Sequence, residues 1–72
     1  MKLKISLAKV SDVKKFISFT QESASRVTVQ SDQYLVDGKS ILGVFSLDLS
    51  DPVTVESDDY KLMKKVKEFE VK

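Results

Sequence analysis

The chain has 72 residues, 42% hydrophobic and 32% charged, which is one domain with a small core that buries about 60–65% of its unfolded surface. Twelve basic and eleven acidic residues leave a net charge of +1, so bulk charge gives no reason to expect direct nucleic-acid binding. There is no cysteine and no histidine, which excludes disulfides, thiolate nucleophiles, an imidazole base and the commonest metal ligands.

Leu3, Ile5 and Leu7 alternate with Lys4 and Ser6, the pattern of a half-buried strand. The same stretch is too short and polar for a signal peptide, and no apolar run approaches a membrane span. A cytoplasmic location without membrane insertion is the expectation. Ser11 is placed to N-cap a helix, with Asp12 in its first turn. Val13, Phe16, Ile17 and Thr20 follow at i, i+3, i+4 and i+7, one amphipathic face that Val10 and Phe19 extend. Ser23-Ala24-Ser25 ends the helix.

Arg26 to Gln30 alternates with β-branched residues and predicts a second strand. Ser31-Asp32 is a turn, and Tyr34-Leu35-Val36 a short third strand, so the pair reads as a hairpin closed by Asp37-Gly38. A short helix runs from Ser40 to about Leu47. Pro52 stops any helix in the polar loop Asp48–Pro52, and Val53 to Glu56 is the fourth strand. Ser57-Asp58-Asp59 supplies a cap candidate and first-turn acids to a last helix, whose inner face is Leu62, Val66 and Phe69 with Met63 and Tyr60 beside them. Lys64, Lys65 and Lys67 gather toward its C-terminal half, as the helix dipole favours. The order β-α-β-β-α-β-α, with single-face alternation in the strands, predicts an α+β open-faced β-sandwich. Its four-stranded sheet is largely antiparallel, with three helices on one face.

The residues of interest cluster in the second helix. Ile41, Leu42, Val44 and Phe45 cover more of its circumference than one core can bury, so at least two of Ile41, Leu42 and Phe45 are expected in solvent, where a partner would cover them. Ser40 stands at the N-cap, which by itself accounts for a serine there. Asp48, Asp51, Asp58 and Asp59 fit capping and turn chemistry, and no metal site or cofactor is expected.

The stretch from Val27 to Leu47, and above all Lys39-Ser40-Ile41-Leu42-Gly43-Val44 after a hairpin, resembles the HPr family, the small phosphocarriers of the bacterial sugar phosphotransferase system. The resemblance implies an HPr-like fold over residues 1–72. That family carries its phosphoryl group on a histidine in a Gly-(Ile/Leu)-His-Ala-Arg-Pro-type segment between the first strand and first helix. The corresponding Ala8-Lys9-Val10-Ser11-Asp12-Val13 has no His, Arg or Pro. Phosphohistidine chemistry is therefore not implied, and no enzymatic activity is expected.

The resemblance implies instead a regulatory or docking protein. Ser40 matches the serine that a dedicated kinase phosphorylates in Gram-positive members, and Ile41, Leu42 and Phe45, with Lys39, match the docking patch. Basic residues near the start of the first helix help bind acidic partners in the family, which makes Lys14 and Lys15 candidates. Lys9 has no better claim, and a solvated helix face also explains all of these lysines. The expected partners are proteins of the phosphotransferase or catabolite-control type, including a Ser kinase. The alternatives are a phosphoryl carrier with a non-histidine acceptor such as Ser11 or Ser40, and an interaction module of another pathway.

Overall fold

The structure is a computed structural model that describes residues 1–71. Its elements are β1 (Lys2–Ile5), α1 (Val10–Gln21), β2 (Val27–Ser31), β3 (Tyr34–Asp37), α2 (Ile41–Phe45), β4 (Val53–Ser57) and α3 (Tyr60–Val66), followed by a 3-10 turn over Lys67–Phe69. The strands form one antiparallel sheet in the order β1-β4-β2-β3. This is the α+β architecture expected from the element order.

The period-2 patterns explain which face is covered. Leu3 pairs with Val55, Val55 with Val29, and Val29 with Val36, so one row of apolar side chains crosses all four strands. Ile5, Val27 and Val53 add to the same face and are buried. The intervening Lys2, Lys4, Gln30 and Glu56 are exposed on the other face. Ser31 and Tyr34 pair across a two-residue loop in which Asp32 has φ 51°, the left-handed value that such hairpin loops use and aspartate tolerates.

Val13, Phe16, Ile17 and Thr20 of α1 are buried against the sheet, as their spacing predicts. The expected cap is displaced. Lys9, not Ser11, occupies the N-cap, because the N–H groups of Asp12 and Val13 already donate to the Lys9 carbonyl, and no side chain caps this end. Ser11 is exposed in the first turn. Val10 is exposed too, rather than extending the buried face, whereas Phe19 is half-buried and packs 6.5 Å from the Phe69 ring.

At α3 the cap is Asp59. Ser57 is the last residue of β4, and its hydroxyl accepts the Asp59 N–H. Leu62, Met63, Val66 and Phe69 are buried, but Tyr60 opens the helix facing solvent instead of joining them. The C-terminal segment then returns along β1. Ser6 N–H donates to the Phe69 carbonyl and Val71 N–H to the Lys4 carbonyl, which covers the outer edge of that strand.

Two polar contacts tie helices to connections. The buried Thr20 hydroxyl lies 2.8 Å from the Gly38 carbonyl and 3.0 Å from the Ile17 carbonyl, so its one proton is shared between α1 and the turn before α2. That turn passes so close to β2 that a Cβ on Gly38 would lie 2.5 Å from Val27 Cγ1, which is why glycine stands there. Just beyond the end of α1, the Ser23 hydroxyl donates to the Asp59 carboxylate at 2.6 Å and the Leu62 N–H donates to the same group at 3.2 Å. The Ser23 bond, followed by the Leu62 bond, holds the Asp59 carboxyl below its ordinary value of 3.8.

Thr20→Val keeps the shape and leaves the Gly38 carbonyl unpaired, so urea unfolding should show a loss of about 1–3 kcal/mol. The depressed Asp59 value stabilises the fold above about pH 4 and ceases to do so as pH falls through the native value. Wild type should therefore melt above Asp59→Asn at neutral pH, with the gap closing in acid; a gap that widens in acid contradicts this assignment.

Candidate docking site at the second helix

The site is built on a helix of only five residues, Ile41–Phe45. Its start is set by Ser40, which has extended backbone angles and accepts the Gly43 N–H at 3.1 Å through its side-chain oxygen. Gly43 makes this close packing possible, since a Cβ there would lie 3.3 Å from Ser40 Oγ and 3.5 Å from Val36 Cβ of the strand beneath. The helix ends earlier than the apolar pattern suggests. Ser46 turns its hydroxyl back onto the Gly43 carbonyl, and Leu47 is buried beyond the last helical turn.

Of the four large apolar residues of α2, Val44 alone is fully buried. Leu42 is 81% exposed, Phe45 40% and Ile41 37%. Leu42 therefore stands free, while Ile41 and Phe45 each keep part of their surface against the protein. The physical cause is the shortness of the helix, for one turn and a half offers a single inward position. Among the described residues, no ionisable group of α2 enters this surface, so its character is apolar with a half-buried hydroxyl at one end.

The helices α1 and α2 meet at this junction. Thr20 reaches Gly38, and the Gln21 side-chain amide donates to the Lys39 carbonyl at 3.4 Å, so the C-terminal end of α1 meets the start of α2. One flank of α1, carrying Val10, Lys14, Ile17 and Gln21 at helical spacing, thus faces the α2 side. Another flank faces α3 and the 3-10 turn after it, where Glu22 pairs with Lys65 at 3.4 Å and Lys15 with Glu68 at 3.0 Å.

This geometry separates the lysines that adjacency in sequence groups together. Lys14 is on the α2 flank and is exposed. Lys15 leaves α1 on the other flank, into an exposed ion pair. Lys39 turns away from Ser40 and donates its ammonium to the Ser23 carbonyl at 2.5 Å, where it neutralises the C-terminal end of α1. Val10, whose apolar character suggests the buried face, is exposed and belongs to the α2 flank instead. Its offset of eleven from Gln21, about three helical turns, is the signal that places it on the α2 flank. Lys9 and Ser11 are exposed at the start of α1.

Three solved structures share this fold. HPr-C-His from Thermoanaerobacter tengcongensis superposes with a TM-score of 0.80 at 21% identity, over 94% of this chain and 85% of its own. The phosphocarrier protein HPr from Bacillus anthracis gives 0.74 at 15% identity, over 99% of this chain and 94% of its own. A Mycoplasma histidine-containing phosphocarrier protein gives 0.66 at 14% identity, over 93% and 82%. The fold is that of HPr. No family model matches the chain, and no curated protein sequence matches it. Unlike a histidine-containing phosphocarrier, this HPr-like chain has no histidine at any position.

Ser40→Ala removes the cap of α2 and should cost about 1 kcal/mol in urea unfolding. Leu42→Asp touches only exposed surface and should stay within about 0.5 kcal/mol of wild type.

Proposed function

We propose that this protein is an HPr-like regulatory or docking relative of the phosphoenolpyruvate-dependent sugar phosphotransferase system, acting by protein–protein contact rather than by carrying a phosphoryl group on histidine. The observation that carries the reading is the α2 surface: Ile41, Leu42 and Phe45 are exposed around a serine-capped helix in an HPr fold. Exposed apolar residues grouped on one short helix are a surface that a partner would cover. Val10 and Lys14 extend it along α1, one apolar and one cationic, which suits an acidic partner with an apolar centre.

Ser40 is the proposed regulatory position. A phosphate on its oxygen would lie at the start of α2, where free backbone N–H groups and the positive end of the helix accept negative charge. Lys39 is occupied by the Ser23 carbonyl and would contribute by releasing that bond or not at all. The work of Lys15 and Lys39 is within the chain, so Lys14 is the lysine proposed for partner contact. The protein is proposed to be cytoplasmic and not an enzyme; among the described residues no helix is long and apolar enough to cross a membrane.

With HPr kinase and ATP, intact mass should rise by one phosphate in wild type and not in Ser40→Ala. With phosphoenolpyruvate and Enzyme I, mass should not change. A stoichiometric adduct in that second reaction would instead make the protein a carrier with a non-histidine acceptor. Leu42→Asp is the cleaner probe of docking than Phe45→Asp, because Phe45 is more than half buried. It should abolish binding to a catabolite-control or phosphotransferase partner while leaving the thermal melt unchanged.

A further inference from the structure

The two outer edges of the sheet are treated differently. The edge of β1 is covered by the chain itself, through the Phe69 to Val71 segment. The edge of β3 has no such cover among the described residues. Tyr34–Asp37 contains no lysine, no proline and no bulge in its pairing with β2, so only its four-residue length and Asp37 at its end guard that edge. Its centre is apolar. Tyr34 is 65% exposed and Leu35 64%.

These two residues lie on opposite faces of the strand, since side chains alternate. Tyr34 shares the helix-covered side with Val36, and Leu35 shares the open side with Asp37. No partner docking against one face covers both. An added strand does.

The backbone says which groups are available. The two-residue loop closes on the Ser31–Tyr34 pair, and Gly38 N–H donates to the Val27 carbonyl at 2.8 Å. Tyr34, Val36 and Gly38 therefore direct their N–H and C=O groups to β2, and Leu35 directs both of its own outward.

We infer that β3 pairs antiparallel with β3 of a second copy, about a two-fold axis through Leu35, joining two four-stranded sheets into one. In this register Leu35 and Leu35 of the second copy exchange two N–H···O=C bonds, and Tyr34 stands beside Val36 of the second copy. Charge selects the register. Asp37 then lies beyond the paired core, opposite the hairpin turn of the second copy. A shift of the axis to Val36 sets Leu35 against Asp37, and a further shift sets the two Asp37 carboxylates against each other. Because the β1 edge is already covered, pairing stops at two copies. The paired segment is short, so the contact falls in the small, weak class of interfaces and forms at high protein concentration.

The test is sedimentation equilibrium between about 20 µM and about 1 mM, combined with amide hydrogen exchange at both limits. The expected result is a rising mean mass that tends toward twice the monomer, with the Leu35 amide exchanging more slowly at the high limit. Leu35→Lys, which introduces a charge at an exposed position, should melt like wild type and remain monomeric throughout. A wild type that stays monomeric at the upper concentration overturns the proposal. So does a dimer that survives Leu35→Lys, or one in which Leu35 exchange does not change with concentration. A dimer held instead through the α2 surface is distinguished by loss of association in Leu42→Asp with Leu35→Lys unaffected.

Discussion

The close approach at Gly38 is the constraint on which the placement of α2 depends. The turn must lie almost in contact with Val27, and the Thr20 hydroxyl must reach its carbonyl. Both requirements are met by small or short groups, a missing Cβ and a buried hydroxyl. Once they are met, the start of α2 is anchored to the end of α1, and Ser40 follows two residues later in the extended conformation of a cap. Gly43 repeats the device one turn on, letting the helix settle onto Val36. Two glycines in the whole chain thus serve one purpose, the seating of a five-residue helix on the sheet.

That seating accounts for the chemistry of the surface. A longer helix would turn several residues inward and spread its apolar surface over the core. A helix this short has one inward position, taken by Val44, and the remaining large side chains are left at the rim. The energetic consequence is mild for Ile41 and Phe45, which keep part of their burial, and falls mainly on Leu42. The surface is apolar, with the Ser40 hydroxyl at one end. It has no paired titratable groups, and neither Asp48 nor Asp59, the two acids with lowered pKa values, lies on α2.

The core and the elements were largely legible in the residues. The alternation in β1, β2 and β4 and the spacing of Val13, Phe16, Ile17 and Thr20 correspond to the buried faces, because burial of an amphipathic pattern is the dominant local signal. Caps were less legible. Ser11 and Ser57 have the right chemistry, yet Lys9 and Asp59 hold the positions, because where a helix begins depends on where the preceding strand releases the chain. Val10 and Tyr60 were misplaced for a related reason. At the first residue of a helix, an apolar side chain is inside only if a neighbour reaches over it, and here none does.

By itself the sequence determined the class of fold, the absence of imidazole and thiol chemistry, and the excess of apolar residues behind Ser40. These follow from composition and from short-range periodicity. Tertiary structure decided the rest: which of four apolar residues faces the core, which lysine stands beside α2, which lysines are engaged within the chain, and which sheet edge is left open. Lys14 and Lys15 are neighbours in the chain but leave α1 on different flanks, since successive residues on a helix diverge by about 100°. Lys39 precedes Ser40 and yet serves the C-terminal end of another helix. Which of them can meet a partner is a matter of helix packing, and no one-dimensional pattern contains it.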